Sequence, residues 1–486
     1  KWSRNRRRRS EPGVRHEWDR GMTAEDWAMP EDAQQTRRSV HGPDTDPQSG
    51  TDAGRLRAYP AYKSTDVDWI GTIPKHWDMV RGRYLYTIDP KARETAGMDP
   101  TTTVSFVPME AVGEYGELRL HKTAELGTVR GGYTYFRNGD VIVAKITPCF
   151  ENGKGALADD LCSEIAFGST EFFVLRPGKG LDAKFLLYIT QSRNFRDRGE
   201  AEMVGAAGQK RVPPEFVYEF PIPTPGLYEQ RAIAAFLDRE TAKIDALIEK
   251  KKNLQHLANE RVRSQLTRRF EEVGRSCPQV IVRRAITSLT DGPFGSSLRS
   301  EHYVQVGTRV IRLQNIGMGM FRDDDRAFVD PDYFRSLGGH DARPGDVLVA
   351  ALGDENHPVG RACVLPEEVP EAMVKADCFR LRLNESLIIP AYFVGFMSSR
   401  YCLTEIAKHV RGATRKRINL NGLSSIRIPL PDLATQHQIV SEWREMSERV
   451  SHLTRYMDSQ ITHLREYRTA LISAAVTGQI DVRGQA

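Results

Sequence analysis

One short pattern occurs twice in the chain, 206 residues apart. Residues 222–237 read IPTPGLYEQRAIAAFL, and residues 428–443 read IPLPDLATQHQIVSEW. Both begin with Ile-Pro-x-Pro and pass through a leucine and a glutamine into a run of helix-forming residues. A pattern that recurs at a fixed offset indicates a duplicated module, and it restricts the possible folds more than any other feature of this sequence.

Further matches extend this pattern in both directions. They keep one order in both halves over nearly the whole of 104–475, which chance would not produce. We therefore interpret the chain as two diverged copies of one module. The matches at the same offset pair GDVIVAK (139–145) with GDVLVAA (345–351), FVLR (173–176) with FRLR (379–382), and QKRV (209–212) with RKRI (415–418).

Each copy divides into a globular part and a long helical part. Short apolar runs bounded by glycine, proline and asparagine predict strands, and helical pieces lie between them. This pattern predicts a mixed α/β (α+β) domain of about 160 residues, which is large enough for its own core. The predicted segments are a globular domain at 59–225, a long helix at 226–272, a second globular domain at 273–431, a long helix at 432–476 and a tail at 477–486.

The two helical parts each carry one apolar stripe. Apolar residues recur every three, four or seven positions, as at Ile233 and Leu237 in the first copy and at Ile439 and Trp443 in the second. A helix of roughly 42 residues is about 60 Å long and needs a partner for its stripe. We expect the two helices to pair as an antiparallel coiled coil, with the globular domains at opposite ends and a pseudo-twofold axis between the copies. The alternative is that each helix packs on its own domain or on another subunit.

The net charge of +5 comes entirely from the first twenty residues, which hold eight Lys or Arg against three Asp or Glu. Global charge therefore does not indicate a nucleic-acid binder, and a DNA-binding face must come from local patches. Residues 1–58 lack hydrophobic periodicity and are predicted to form a disordered basic arm. Within it, Arg6–Arg9 either contact DNA non-specifically or belong to a solvated tail. Met22 and Met29 follow this basic run, so the sequence leaves open how much of 1–58 belongs to the natural protein.

The remaining bulk features favour a cytoplasmic protein. No run of eighteen apolar residues predicts a membrane-spanning helix, and no apolar segment follows the basic N-terminus as it would in a secretory signal. The six cysteines are scattered and include no CxxC pair, which is typical of free thiols in a reducing compartment.

The sequence contains no convincing catalytic motif. ENGKGA at 151–156 resembles a phosphate-binding loop, but Pro148 stands where the first glycine is required. RVPPEF at 211–216 has the prolines of an amino-methyltransferase motif, but Val212 cannot accept a hydrogen bond from a target amine. The sequence has neither an HExxH motif nor a paired Cys/His spacing, which are the patterns that would indicate a metal site.

Three segments carry a resemblance to a known family. They are YPAYKSTDVDWIGTIPKHWDMVRGRYL (59–85), PIPTPGLYEQRAIAAFLDRETAKIDALIEKKKNLQ (221–255) and LREYRTALISAAVTGQIDV (464–482). Together and in this order, they closely resemble the specificity subunit of type I restriction-modification enzymes. The resemblance covers about 59–482.

This resemblance implies a fold, partners and a division of labour. The globular domains would be target recognition domains, each reading one half of a bipartite, asymmetric site in double-stranded DNA. The long helices would fix the spacer and dock the partners. The partners would be two modification subunits, which bind S-adenosylmethionine and methylate adenine, and two restriction subunits, which use ATP and Mg²⁺ for translocation and cleavage. The specificity subunit itself has no catalytic centre or cofactor.

Candidate DNA-contacting residues lie in polar loops between strands, where hydrogen-bonding groups can reach base edges or phosphates. In the first copy the loop AKITPCFENGKGAL (144–157) is the candidate, with an ordinary surface turn as the alternative. In the second copy the candidates are DGPFGSSLRSEHY (291–303), where Phe294 is expected to pack, and ALGDENHPVGR (351–361). The residues are Lys145, Thr147, Glu151, Asn152 and Lys154 in the first copy, and Ser296, Ser297, Arg299, Asn356, His357 and Arg361 in the second.

Both copies also keep a basic cluster before the Ile-Pro-x-Pro pattern. GQKR occupies 208–211, and TRKR occupies 414–417. A feature kept in both copies suits a task independent of DNA sequence, so we predict phosphate contacts there, with a solvated turn as the alternative. The residues are Lys210, Arg211, Arg415, Lys416 and Arg417.

The leading hypothesis is therefore a non-catalytic DNA-recognition subunit. Two other classes stay in competition with it. One is a self-sufficient methyltransferase or nuclease with fused specificity modules, and the other is a coiled-coil scaffold without DNA specificity. The target bases do not follow from the sequence, because no residue-to-base code holds for domains of this kind.

Overall fold

The computed structural model describes residues 57–206, 208–354, 357–412 and 415–484. The arm predicted at 1–58 therefore lies, except for its last two residues, outside the described residues. So does Asn356, and the side chain of Ser296 is not described either. We call residues 57–226 head 1 and residues 277–432 head 2.

Head 1 contains mostly short strands with five helices. Most of its strands are three to five residues long, as expected for a small mixed domain. The strands are β1 Tyr62–Ser64, β2 Thr72–Pro74, β3 Asp78–Arg81, β4 Tyr86–Ile88, β5 Thr103–Val107, β6 Thr123–Glu125, β7 Thr134–Arg137, β8 Val141–Ala144, β9 Gly155–Leu157, β10 Ile165–Gly168, β11 Phe172–Pro177 and β12 Pro221–Thr224; the helices are α1 Gly82–Leu85, α2 Leu126–Val129, α3 Ala183–Gln191, α4 Arg193–Ala201 and α5 Pro214–Glu219.

Two four-stranded sheets form the body of head 1. One has the order β4-β11-β8-β9 and is antiparallel throughout. The other has the order β6-β5-β10-β7 and contains one parallel pair, β5 with β10. Strand β8 reads VIVA and is buried at all four positions, which explains why it is a continuous apolar run and does not alternate.

Head 2 follows a long helix, α6, which runs over Leu227–Ser276. Like head 1, head 2 is built mostly of short strands with a few helices. The strands are β13 Gln279–Ile281, β14 Ile286–Thr290, β15 Tyr303–Val304, β16 Thr308–Ile311, β17 Phe328–Val329, β18 Asp341–Ala342, β19 Val347–Ala350, β20 Leu352–Gly353, β21 Ala362–Val364, β22 Ala372–Val374, β23 Cys378–Leu383, β24 Lys416–Arg417 and β25 Arg427–Pro429; the helices are α7 Pro331–Leu337, α8 Pro390–Ser398, α9 Arg400–Ala407 and α10 Leu420–Ser425.

The sheets of head 2 have a similar order. The antiparallel sheet is β14-β23-β19-β21, and the second sheet, β15-β17-β16-β22-β18, again contains one parallel pair, β16 with β22. In both heads, a short antiparallel pair joins the strand before the next long helix to a strand near the start of the head. These pairs are β3 with β12 and β13 with β25. The described part of the chain therefore has the mixed α/β architecture that the sequence predicts.

The second long helix, α11, runs over Leu433–Val476. Both long helices begin at the leucine of the repeated pattern, with Gly226 before one and Asp432 before the other. Asp432 caps its helix by accepting a hydrogen bond from the amide of Thr435 at 2.7 Å, which satisfies one of the free N–H groups of the first turn. Helix α6 ends at Ser276, four residues beyond the predicted end at 272.

Polar contacts join the two long helices along their length. Asp245 pairs with Arg468 at 3.2 Å, Gln255 donates to Asp458 at 2.8 Å, and Arg269 donates to Glu442 at 3.0 Å. Lys251 also donates to Gln460. Partner numbers on α11 fall as those on α6 rise, so the two helices lie in opposite directions.

The core of each head includes parts of both long helices. The core of head 1 takes in Ile233 from the start of α6 and Ile472 from the end of α11. The core of head 2 takes in Ile439 from the start of α11 and Phe270 from the end of α6. Between them, no residue of 249–265 or 441–460 is buried. Each head therefore packs on the start of the helix that follows it and on the end of the other helix.

The glutamine of the repeated pattern fastens each helix to its head. Gln230 is fully buried; its amide donates to the carbonyls of Gly180 and Pro225 at 3.0 and 2.8 Å, and it accepts from the amide of Asp182 at 2.8 Å. Three hydrogen bonds of this kind leave little of the side chain's capacity unused. We call this arrangement the glutamine clasp.

Head 2 has the same clasp at the same offset. Gln436 is fully buried and donates to the carbonyls of Leu387 and Pro431 at 2.9 and 3.0 Å. It accepts from the amide of Ile389 at 3.0 Å. The repeated pattern therefore encodes a joint between a head and a helix.

A second contact ties each head to the other helix. The amide of Arg193 in head 1 donates to the hydroxyl of Ser473 in α11 at 3.0 Å, and the amide of Arg400 in head 2 donates to Thr267 in α6 at 2.9 Å. Ser473 and Thr267 are again 206 residues apart. On each helix, the clasp and this hydroxyl are 37 residues apart.

Candidate nucleic-acid interface

In head 1, the loop after β8 is held against a basic hairpin. This hairpin, hairpin 1, covers 204–211, of which residue 207 is outside the described part, and it closes through main-chain bonds between Val204 and Arg211 at 2.9 and 3.0 Å. The main chain of Ile146 pairs with Arg211, and the amide of Thr147 donates to the carbonyl of Lys210 at 3.0 Å. Two groups of predicted DNA-contacting residues, which are distant in sequence, are therefore neighbours.

The side chains of this loop differ in accessibility. Asn152 is exposed, whereas Lys145, Thr147, Glu151 and Lys154 are half-buried. The ammonium of Lys145 lies 5.4 Å from the centre of an aromatic ring, and that of Lys154 donates to a carbonyl at 3.4 Å. The hydroxyl of Thr147 donates to a methionine sulfur, and one oxygen of Glu151 is buried without a partner among the described residues. Asn152 is therefore the most accessible of the five candidate residues in this loop.

The two basic residues of hairpin 1 have different surroundings. Lys210 is exposed. Arg211 is also exposed, but its guanidinium binds both oxygens of Glu171, at 2.8 and 2.9 Å. This pairing lowers the pKa of Glu171 below its ordinary value, so the carboxylate stays charged.

Head 2 builds the same arrangement with different residues. Its hairpin, hairpin 2, covers 411–417, and residues 413 and 414 are outside the described part. Strand β24 pairs Lys416 and Arg417 with Gly353 and Leu352. The guanidinium of Arg417 lies 2.6 Å from Asp377. Arg415, Lys416 and Arg417 are all exposed.

The structure also brings the loop 291–303 to hairpin 2. The guanidinium of Arg417 lies 5.5 Å from the centre of the ring of Phe294, a cation–π contact. Arg299 is more than half exposed and pairs with Glu301 at 3.7 Å. The carbonyl of Ser297 accepts from the hydroxyl of Tyr333 at 2.6 Å, so its main chain is fixed.

His357 and Arg361 belong to the loop after β19, and they differ sharply. His357 is half exposed and its ring lies 3.1 Å from Asp354. Arg361 is only 7% exposed, and its guanidinium donates to the carbonyls of Ile316, Leu352 and Leu313 at 2.8, 3.0 and 2.9 Å. A buried guanidinium used in this way fastens the loop to the sheet. The prediction of a DNA contact for Arg361 does not fit this geometry, and our proposal does not include it.

Three residues near the hairpins were not predicted from the sequence. Arg411 is exposed and closes hairpin 2 through main-chain bonds to Arg417 at 2.9 Å. Glu171 and Asp377 hold the hairpin arginines. A signal existed for the acidic pair, because Glu171 and Asp377 stand 206 residues apart just before the matching FVLR and FRLR runs.

The described residues offer neither a metal site nor a membrane-spanning helix. Among the described residues, no group of three His, Cys, Asp or Glu side chains is placed to hold a metal ion. In the same part of the chain, no helix is both long and apolar enough to span a bilayer.

Comparison with protein families gives one match in each half of the chain. The family described as "Type I restriction modification DNA specificity domain" matches residues 85–256 and 345–443. Each match covers much of one head and continues into the helix that follows it. Together the two matches cover more than half of the chain.

Curated relatives and one solved structure also come from type I restriction systems. The chain is 37% identical over 163 residues to the type I restriction enzyme EcoEI specificity subunit and 39% identical over 163 residues to the EcoAI specificity subunit, both from Escherichia coli. Each match covers 33% of this chain, and the chain spans only 27% of the length of these two relatives. The EcoKI specificity subunit of Escherichia coli is 23% identical over 328 residues, which is 64% of this chain and 69% of that one. A chain in a solved structure on complex assembly and conformational transition of the type I R-M system has a TM-score of 0.56 at 21% identity, covering 84% of this chain and 99% of that chain, and indicates a shared fold.

Proposed function

The chain belongs to the type I restriction modification DNA specificity family, and from this premise we propose that it is the subunit that selects the DNA target of such a system. Each head would read one half of a bipartite, asymmetric site in double-stranded DNA. The observation that carries this proposal is the arrangement found in both heads, in which a polar loop lies against an exposed basic hairpin. Such a surface combines donors and acceptors for base edges with cations for phosphates.

We further propose that the chain is an internal pseudo-twofold repeat. The common order of the antiparallel sheets, the parallel pair in each second sheet and the glutamine clasps at Gln230 and Gln436 support this. A twinned molecule suits a bipartite target, because two related heads meet two half-sites. The different loops of the two heads fit an asymmetric target.

The long helices would act as an antiparallel coiled coil that sets the distance between the heads. On each helix the attachments of the two heads are 37 residues apart, which corresponds to about 55 Å at 1.5 Å per residue. B-DNA rises about 3.4 Å per base pair, so this length equals roughly sixteen base pairs. The middle stretch of the two helices, 249–265 and 441–460, contains only exposed and half-buried residues and would dock the modification subunits.

We assign DNA contacts to polar residues of the two loop-and-hairpin segments. Residues of the loops would contact base edges or nearby phosphates, and the hairpins would contact phosphates. The proposed set is Lys145, Thr147, Glu151, Asn152, Lys154, Lys210 and Arg211 in head 1, and Ser296, Ser297, Arg299, Asn356, His357, Arg415, Lys416 and Arg417 in head 2.

In this proposal the chemistry belongs to other subunits, in the cytoplasm. Two modification subunits would supply S-adenosylmethionine and methylate adenine, and two restriction subunits would supply ATP- and Mg²⁺-dependent translocation and cleavage. This chain would contribute target selection and spacing only.

Methylome sequencing of the host, with and without the gene for this chain, tests the function directly. We expect a bipartite methyladenine motif that disappears on deletion and returns on complementation. A methylome that does not change would contradict the proposal. Binding of labelled S-adenosylmethionine by the purified chain would instead favour a self-sufficient methyltransferase. Footprinting of the complete complex that finds no bipartite protected site would favour a scaffold without DNA specificity.

The spacing function has its own test. Inserting four residues into the middle of both helices adds about 6 Å, so the preferred spacer should lengthen by roughly two base pairs. Selection of bound sites from random DNA, with the complete complex, measures the spacer. An unchanged spacer in a correctly folded variant would reject the coiled coil as the device that sets it.

A further inference from the structure

The arginine of each hairpin is held by an acidic residue from the same place in the fold. Glu171 directly precedes β11 and binds Arg211 with both carboxylate oxygens. Asp377 directly precedes β23 and lies 2.6 Å from Arg417. The two acids are 206 residues apart, and so are the two arginines. An ion pair at this place is therefore shared by the two heads, although in head 2 it is a close charge contact without a hydrogen bond.

The main chain next to each arginine is also fixed by the loop it faces. Arg211 pairs with Ile146, and the amide of the next residue, Val212, donates to the carbonyl of Lys145 at 2.9 Å. In head 2, Arg417 pairs with Leu352, and Ile418 donates to the carbonyl of Ala351 at 3.0 Å. The side chain and the main chain thus connect the hairpin, the loop and the strand that begins after the acid.

The lysines beside these arginines are in a different situation. Lys210 and Lys416 are exposed in both hairpins. An arginine that shares a carboxylate forms a pair with no net charge, which adds little to the attraction of a phosphate. A lysine that keeps its whole charge in solvent releases a counterion when it meets a phosphate.

We propose that Glu171 and Asp377 are positioning residues that fix Arg211 and Arg417 as latches between hairpin and loop, and that Lys210 and Lys416 are the phosphate-contacting cations at these positions. This inference rests on the proposed DNA binding and makes it more specific. It narrows the DNA contacts proposed above, because Arg211 and Arg417 then hold the loops and do not themselves contact a phosphate. It also gives one task to the acids, which is to keep the reading loop in register with the phosphate-contacting lysine.

Exchanging the charges of the latch tests this assignment. The full chain is titrated with a fluorescein-labelled duplex of about 40 base pairs and arbitrary sequence, at several NaCl concentrations, because phosphate contacts do not depend on sequence. K210Q and K416Q should each lower the slope of log K against log[salt] by about 0.9. R211E alone should weaken binding, and E171R/R211E should restore the wild-type slope to within about 0.3, since the latch is rebuilt with reversed polarity.

A direct phosphate contact by Arg211 predicts a different result in the same experiment. If Arg211 contacts a phosphate, E171R/R211E puts a carboxylate against it, and the slope falls by at least about 0.9, as in K210Q. That result, or an unchanged slope in K210Q, would overturn the inference while leaving DNA binding by the chain intact. A wild-type chain that shows no salt-dependent duplex binding would overturn the proposed function and the latch together.

Matched variants protect the test against misfolding. E171Q/R211Q removes the latch without changing net charge and should keep the wild-type slope within about 0.3, although its loop is less well fixed. D377N/R417Q repeats this in head 2. E445Q/R449Q neutralises an exposed pair, 2.5 Å apart on α11, and should leave both affinity and slope unchanged. Circular dichroism and denaturant unfolding of every variant establish that the fold is retained.

Discussion

The two heads join the long helices through the same clasp. The place where α6 and α11 meet next to each head, here called the corner of that head, is filled differently. In head 1 the corner is closed by Arg468, which is 4% exposed. Its guanidinium pairs with Asp245 at 3.2 Å and lies 4.6 Å from the centre of the ring of Tyr115. In head 2 the positions equivalent to Arg468 and Asp245, at an offset of 206, are Val262 and Ser451.

Those two residues line an open groove of 860 Å³ in head 2. Trp443 forms part of its wall, and Gly319 packs so closely on the indole that a Cβ there would lie 2.8 Å from it. Gly319 also has a φ of +82°, so two independent reasons favour glycine at this position. The comparison shows that both heads have the same joint, whereas the packing around the joint differs between them.

Removing a clasp should have the largest effect. Q230L leaves the carbonyls of Gly180 and Pro225 and the amide of Asp182 without their partner, and Q436L does the same in head 2. Unpaired buried groups cost about 1–3 kcal/mol each, so each substitution should lower the free energy of unfolding by about 3–5 kcal/mol. Denaturant titration measures this. Q438L, an exposed glutamine two residues from Gln436, should change it by less than about 0.5 kcal/mol. Costs that differ between the heads by more than about 2 kcal/mol would contradict equivalent clasps.

Opening the corner of head 1 should have the next largest effect. R468M keeps most of the buried stem but leaves Asp245 without its cation. Burial already raises the pKa of Asp245 despite Arg468, so the unpaired carboxylate is costly. Because Asp245 is partly exposed, we expect a loss of about 2 kcal/mol. R468M/D245N should recover about half of this loss in the same unfolding experiment. A loss below about 0.5 kcal/mol in R468M would show that the closed corner does not stabilise head 1.

An acid in head 2 should give this head a distinctive pH dependence. Burial raises the pKa of Asp291 to about 6, and the nearby Asp377 adds to the rise. The folded state therefore binds more protons than the unfolded state between about pH 4 and 6, so stability falls as pH rises through this window. D291N keeps an oxygen acceptor for the amides of Gly292 and Asp377, and it removes the free-energy cost of a buried negative charge at this position.

We therefore expect D291N to stabilise the protein at pH 7 by no more than about 2 kcal/mol, and to flatten the stability profile between about pH 4 and 6. Unfolding titrations at several pH values check this. D324N, which neutralises an exposed acid in the same head, serves as the control and should not flatten the profile. Destabilisation by D291N at pH 7 would mean that the charged carboxylate is needed for its hydrogen bonds.

Making the corner of head 2 like that of head 1 should have the smallest effect. V262R/S451D places the charge pair of the first corner at the equivalent positions of the second. The groove has room for the larger side chains, so the free energy of unfolding should rise by no more than about 1 kcal/mol. V262R alone should be less stable than the pair. A double variant that loses more than about 2 kcal/mol would show that the two corners are not equivalent.

Much of this architecture could be predicted from the sequence, because the Ile-Pro-x-Pro pattern occurs twice. The two helix starts at Leu227 and Leu433 follow from the repeated pattern, and the apolar runs at 141–144 and 347–350 predict buried strands. The role of Gln230 did not follow, because it depends on the carbonyl of Gly180, which only the fold brings to the helix.

The candidate site was harder to predict, because burial decides which basic residue is available. Arg361 occurs in a polar loop, and nothing local reveals that the carbonyls of Ile316 and Leu313 surround it. Lys210 and Arg211 look alike in sequence, and they are distinguished by Glu171, which lies 40 residues before Arg211. Polarity and position in a loop indicate a surface, whereas the pairing of charges within it is a property of the folded chain.

The glutamine clasp has a consequence for how such a chain can diversify. On the side of the head, each clasp binds only main-chain groups, those of 180 and 182 in one case and of 387 and 389 in the other. A main-chain carbonyl is the same for every amino acid, so the hydrogen bonds of the joint do not depend on the side chains of the head attached to it. A head whose loops differ in sequence can therefore keep the same hydrogen bonds to the helix, so this joint places little restriction on how the side chains of a head change.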